Sequence, residues 1–244
     1  MKKENYVSSN KKTALILGSS GVIGQYCLEF LLEKEGYEKV IALVRRELPA
    51  TSPKLTQIVV DFDNTNSMEK YYAGVDDVFC CLGTSQNRSI GGSVLRRVNF
   101  HIPIESANMA YQYGVKQFVI ISVKGADNHS SDIFLRVKGE MERGLAQFNF
   151  EAVHIFRPFF SHIEESKSRN IIKSLITKIL NINTDRTFHS LLPDDIEILA
   201  KTMVEVAQKH LKGKHVYKPN KLSLSIGSNN VKAHQYPYLE IQTI

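Results

Sequence analysis

Residues Thr13 to Gly24 read T-A-L-I-L-G-S-S-G-V-I-G, an apolar run that ends in three glycines. A β-type run, a glycine turn and then a helical pattern from Val22 to Glu35 make a strand, turn and helix whose first amides face an anion. Each glycine has its own task. Gly18 lets the chain turn sharply, Gly21 leaves no side chain between backbone and a pyrophosphate, and Gly24 lets helix and strand pack closely. A glycine spacing alone also marks an ordinary tight turn. With the strand before it and the helix after it, Gly18, Ser19, Ser20, Gly21, Val22, Ile23 and Gly24 form the candidate phosphate cradle of a dinucleotide fold.

The rest of the chain repeats that alternation. Val40 to Val44 is a second buried strand that ends in Arg45 and Arg46, where an acid would bind a ribose 2′-hydroxyl and arginine accommodates a 2′-phosphate. NADP(H) is therefore favoured over NAD(H), the other reading being two arginines that simply leave a strand for water. Thr56 to Val60 is a third strand and runs into Asp61 and Phe62, which suit either adenine contacts or a strand-ending turn. Asp76 to Gly83 gives a fourth strand, placing Cys81, Leu82, Gly83 and Thr84 beside the ligand, with Gly83 allowing close backbone approach. The polar loop from Thr84 to Ser93 is long for its position and suits a lid over the cofactor.

Asn99 to Tyr113 is a helix capped by Gly114. Lys116 to Ile121 is a fifth strand ending in Ser122, Asp132 to Phe148 a helix, and Glu151 to Phe156 a sixth strand ending in Arg157 and Pro158. Alternating strands and helices imply a doubly wound parallel α/β sheet, a Rossmann fold, with right-handed crossovers. Beyond Pro158 the regularity breaks. A helix near Arg169 to Asn181 and another opening at Pro193 and Asp194 would form a small C-terminal lobe on the substrate side, about residues 158–195. Residues 1–12 read as an extension, 13–219 as one domain, and 220–244 as a polar tail that includes an edge strand.

At 244 residues the chain suits one such domain, which buries roughly 70% of its unfolded surface. No apolar run approaches the roughly 20 residues that span a bilayer. The first residues, M-K-K-E-N-Y-V-S-S-N-K-K, hold basic residues without an apolar core, so a cytoplasmic protein with no secretory signal is expected. Cys27, Cys80 and Cys81 have no metal-ligand spacing and read as reduced core residues. A net charge of +6 raises nucleic acid as a partner, but the basic residues are dispersed along helical faces, and no nucleic-acid partner is expected. Outer amphipathic helices of such folds often pair, which makes a homodimer one expected assembly.

The runs CCLGT (Cys80 to Thr84), SVKGAD (Ser122 to Asp127), VKGEME (Val137 to Glu142) and FRPFF (Phe156 to Phe160) follow GSSGVIG in that order. This ordered set resembles the atypical short-chain dehydrogenase/reductases, in the branch that holds the human HIV Tat-interacting oxidoreductase and its bacterial and fungal relatives. The resemblance covers about Thr13 to Leu211 and implies an NADP(H)-binding Rossmann fold. It also implies a catalytic serine after the fifth strand, matched by Ser122, and a Tyr-x-x-x-Lys pair on the next helix. Lys138 matches the lysine. The tyrosine position holds Phe134, and the chain has no tyrosine between Tyr113 and Tyr217.

That phenol is the acid/base that exchanges a proton with the substrate oxygen, aided by the lysine ammonium. General acid/base help is typically worth about 10²–10⁴-fold in rate. Weak or absent turnover with a binding or regulatory role is one expectation. An active NADPH-dependent carbonyl reductase or epimerase that recruits Ser122, His129 or a water is the other. Lys138 keeps a use in either case, since the family's lysine also bonds the nicotinamide ribose. Arg157 and Pro158 suit a wall on the nicotinamide side.

Overall fold

The computed structural model describes residues 11–84, 91–158, 193–218 and 242–243. The opening apolar run forms β1 (Lys12–Leu17), buried on both faces from Ala14 onward, as the interior of a parallel sheet requires. Helix α1 (Val22–Glu33) returns the chain to β2 (Tyr37–Val44), which pairs parallel with β1, and β3 (Leu55–Val59) pairs parallel with β2. A 3₁₀ segment, Thr65–Tyr72, leads to β4 (Asp77–Cys80) on the opposite side of β1. Strand order therefore reverses between β1 and β4. In open α/β sheets the ligand crevice lies at the carboxyl ends of the strands at such a point.

The helix expected from Asn99 begins earlier. It consists of α2 (Gly92–Arg96), a single π turn at Arg97–His101 and α3 (Ile102–Gln112), and Gly114 at φ +73° ends it as expected. Pro103 supplies the reason for the wide turn: it has no amide to give the Asn99 carbonyl four residues back, and the helix widens there instead of breaking. Strand β5 (Gln117–Ile121), helix α4 (Ile133–Leu145) and β6 (Ala152–Phe156) follow. Asp132 caps α4, accepting from the Phe134 and Leu135 amides at 2.8 and 3.0 Å.

Helix α5 (Pro193–Ala207) starts at the expected proline and returns to β7 (Gly213–Tyr217), and β8 (Gln242–Thr243) closes the edge. The sheet order is β3-β2-β1-β4-β5-β6-β7-β8, with β8 antiparallel. The sequence pattern did not announce β7, because K-H-V-Y after Gly213 holds only two apolar residues. The edge strand expected in the tail is represented by β8. The expected helix over 169–181, the lid over 85–90, the substrate wall over 159–192 and most of the tail lie outside the described residues.

One face of the sheet packs on α1 and α5 through residues such as Leu28, Leu31, Leu199 and Met203, and the other on α3 and α4 through Ala107, Ala110, Met141 and Leu145. A buried polar row crosses the amino-terminal half of the sheet. Tyr37 and Lys12 donate to Asp77 Oδ2 at 2.6 and 3.1 Å. Gln117 Nε2 donates to Asp77 Oδ1 and to the Ala207 carbonyl, both at 3.0 Å. His154 then joins Gln117 Oε1 at 3.2 Å to the Tyr217 hydroxyl at 2.9 Å. No described helix is long and apolar enough to cross a membrane.

Candidate functional site

The glycine loop turns as its sequence requires. Gly18 has φ +82°, and its carbonyl accepts from the Gly21 amide at 2.9 Å. A β-carbon on Gly18 would lie 2.7 Å from the Cys81 carbonyl carbon, so the loop after β1 is pressed against the chain leaving β4. A β-carbon on Gly24 would meet the Gly18 carbonyl oxygen at 2.0 Å, whereas one on Gly21 would meet that oxygen alone, at 3.3 Å. Gly24 is thus a packing glycine, and Gly21 is far less tightly enclosed. Gly21 is the N-cap of α1 with no side chain capping it, which leaves the first helical amides for an anion. Ile23 is buried in the core and Val22 packs against it, so only their amides can serve a ligand. Ser20 is exposed, and the Ser19 hydroxyl is fully buried with no partner among the described residues.

Arg45 and Arg46 stand exposed just past β2. Asp61 binds the Asp63 amide through Oδ1 at 2.9 Å, and the Phe62 ring packs against the core below. Both residues sit in the strand-ending turn. Arg97 donates to the Phe62 carbonyl at 2.7 Å and to Glu105 at 2.7 Å, tying that turn to the start of the π turn.

Across the switch point, Cys81 and Leu82 are half-buried and Gly83 is exposed. A β-carbon on Gly83 would lie 3.7 Å from Asn99 Oδ1 and 3.9 Å from Lys138 Nζ. Asn99 is fully buried; its Nδ2 donates to Thr84 Oγ1 at 2.8 Å and to the Leu95 carbonyl at 2.9 Å, while Oδ1 has no partner among the described residues. Sequence reasoning passed over Asn99. Its signal was an asparagine between Val98 and Phe100 in a helical stretch, four residues before a proline.

Lys138 is only 3% exposed and donates to the Ile121 carbonyl at 3.0 Å. Burial pushes its ammonium down to about 8, against the opposing pull of the neighbouring Cys80 and Glu142. Phe134, one turn earlier on α4, is buried among Leu95, Val123, Ala126 and Val137. Ser122 is fully buried and donates its hydroxyl to Glu142 Oε1. Arg157 grips the same carboxylate with Nε at 2.9 Å and Nη2 at 2.5 Å, and Pro158 is buried beside it. His129 is exposed in its loop, with its ring against Asn128. Glu142 was visible in the VKGEME run without a role. No described His, Cys, Asp or Glu cluster of three or more is placed to hold a metal.

The structure thus brings the glycine loop, residues 81–84, Asn99 and Lys138 together at the carboxyl end of the sheet. Of the five buried side-chain polar atoms without hydrogen-bond partners among the described residues, two, Ser19 Oγ and Asn99 Oδ1, mark the loop after β1 and the neighbourhood of Lys138. Buried polar groups are otherwise nearly always satisfied, so these residues fit a polar ligand lying across the switch point. A family model for NAD(P)H-binding domains matches residues 18–157. The chain belongs to that NAD(P)H-binding family.

Within it, the chain is similar to Protein HTATIP2 of Rattus norvegicus, at 34% identity over 68% of this chain and 69% of that protein. It is also similar to a protein of Debaryomyces hansenii named as mitochondrial, FMP52, at 28% identity over 82% of this chain and 89% of that one. The resemblance to the atypical dehydrogenase/reductases therefore holds. Among solved structures, MoeE5 in complex with UDP-glucose and NAD superposes with a TM-score of 0.63 at 20% identity, covering 84% of this chain and 75% of that one. The enzyme WbmH of Bordetella bronchiseptica in complex with NAD+ gives 0.62 at 14%, with the same coverage. At such identities the likeness concerns the fold, and it confirms the expected Rossmann architecture.

Proposed function

We propose that this protein binds NADP(H) across the β1–β4 switch point and has weak or no hydride-transfer activity, so that its role is binding or regulation. The first amides of α1 and Gly21 would take the pyrophosphate. Arg45 and Arg46, exposed and without a side-chain partner among the described residues, would take a 2′-phosphate. Lys138, with one proton given to the Ile121 carbonyl, retains two for a ribose hydroxyl, and Asn99 Oδ1 can accept a proton from the same ligand. A dinucleotide held there would bring a nicotinamide able to supply or accept a hydride.

The observation that carries the reading is the pairing of Phe134 with Lys138 on α4. The lysine is buried with its ammonium close to Gly83, and the ring one turn earlier sits in an apolar cluster with no hydroxyl to exchange a proton. Of the substitutes, Ser122 already gives its proton to Glu142, and the exposed His129 ring is turned to Asn128. Water beside Lys138 and Asn99 is left as the acid for a working reductase or epimerase, which is the second reading. Fluorescence titration with NADPH and NADH tests binding, and steady-state assay of aldehydes and ketones with NADPH separates the two readings. Tight NADPH binding with negligible turnover is expected. Failure to bind either dinucleotide would overturn both.

A further inference from the structure

Glu142 lies one turn beyond Lys138 on α4, and its carboxylate is nearly buried yet joins three elements. Ser122, at the exit of β5, donates to Oε1. Arg157, at the exit of β6, donates to both oxygens at 2.9 and 2.5 Å. A buried carboxylate is costly to desolvate unless donors surround it in good geometry, and here a bidentate guanidinium and a hydroxyl do so. The β5 exit is consequently held by α4 twice over, because Lys138 grips the Ile121 carbonyl while Glu142 grips the next residue's hydroxyl.

We propose that Glu142 is a positioning residue of the dinucleotide site: it fastens the exits of β5 and β6 to α4 and keeps Lys138 charged and aimed at the space beside Gly83 and Asn99. The inference rests on the reading that this site binds NADP(H). The groups that face Lys138 are few among the described residues. From β4 comes the Cys80 thiol, which burial raises to about 12 and so keeps neutral. From β5 comes the Ile121 carbonyl, from the π turn the Asn99 amide, and from α4 Glu142, with Arg157 behind it. Beside the Cys80 thiol, Glu142 is the one carboxylate among these groups that opposes the cost of burying the ammonium, and a nearby opposite charge raises a lysine's affinity for its proton.

The test uses the full chain and two variants. Glu142→Gln keeps the shape and removes the charge; Glu142→Asp keeps the charge and withdraws it by one methylene. Lys138 is titrated without cofactor by NMR of ¹³C-labelled lysine, assigned through Lys138→Arg, and NADPH affinity is measured by fluorescence. In Glu142→Gln the Lys138 midpoint is expected to fall by about one pH unit, with NADPH binding weakened about three-fold or more at pH 7.5. In Glu142→Asp the midpoint should stay near the parent's while NADPH binding still weakens. In Glu142→Gln, affinity lost without any movement of the midpoint would mean a merely structural role and overturn the proposal. Parent-like affinity in Glu142→Asp would also overturn it, and decides the matter if the glutamine variant does not fold. Should the parent bind no NADPH while the midpoint still moves in Glu142→Gln, the cofactor reading falls and the hold of Glu142 on Lys138 stands.

Discussion

A β-carbon on Gly24 would sit 2.0 Å from the carbonyl oxygen of Gly18, so the first turn of α1 and the turn after β1 touch backbone to backbone. No flexible side chain is there to give way, and overpacking of this kind typically costs about 1–3 kcal/mol and occasionally more. Gly24→Ala is therefore expected to lower stability by at least that much in urea unfolding. Gly21 behaves in the opposite way. Its φ of −82° suits any residue, and an added β-carbon meets only the Gly18 oxygen at 3.3 Å. Gly21→Val should keep most of the parent's stability and lose NADPH binding, because the valine projects where the pyrophosphate would lie. A valine variant that binds like the parent would show that the loop is not the cradle.

The arginines after β2 are exposed and carry no structural task among the described residues, so removing them should leave the fold alone. NADPH is expected to bind at least about ten-fold more tightly than NADH, a difference of about 1.4 kcal/mol that one charge-assisted phosphate contact supplies. In the Arg45→Ala, Arg46→Ala double variant the preference should vanish while NADH affinity stays. Equal affinities in the parent would overturn the assignment.

Much of the fold was legible because buried parallel strands announce themselves. Leu15, Ile16, Ile41, Leu43, Val119 and Ile120 sit in near-continuous apolar runs, and the glycine loop and Asp132 mark where helices begin. The site was legible only where a residue had a sequence neighbour to explain it. Lys138 and Phe134 stand one turn apart on a helix, but Glu142 gains its meaning from Arg157, on a different strand, and Asn99 from Gly83. Strand β7 escaped notice because its apolar run is short, and His215 and Tyr217 join His154 in a row that only the folded sheet creates.

That row makes stability depend on acid. His154 is fully buried, and burial, reinforced by His215 and Lys12, pulls its imidazole down to about 3 from an ordinary 6.5. The unfolded chain therefore takes up the proton first, so the stability His154 contributes is complete above about pH 6.5 and is lost as pH falls toward about 3. At about pH 4.5 the loss would be on the order of 2–3 kcal/mol. Urea unfolding across that range should show the decline, and His154→Gln should flatten it. An unchanged pH slope in the variant would assign acid sensitivity to carboxylates elsewhere.

The phenol missing at position 134 can be put back. Phe134 and Lys138 share a face of α4 at a spacing of one turn, and the lysine ammonium, held down to about 8 by burial, is the group that would lower a neighbouring phenol's hold on its proton. Phe134→Tyr adds one hydroxyl to a ring packed against Leu95 and Val123, and only a hydroxyl that reaches the lysine side escapes being buried without a partner. The variant is expected to gain NADPH-dependent carbonyl reduction by about ten-fold or more, within the range that acid/base groups supply. NADPH affinity should not rise, because the phenol's proton transfer belongs to the transition state and has no counterpart in the bound ground state. A gain in kcat/KM with an unchanged dissociation constant is the signature to look for, and Lys138→Met in the tyrosine background should erase it. A parent that already turns over quickly, with no gain on adding the phenol, would mean that a water or another group supplies the proton and would favour the working-reductase reading over a binding role.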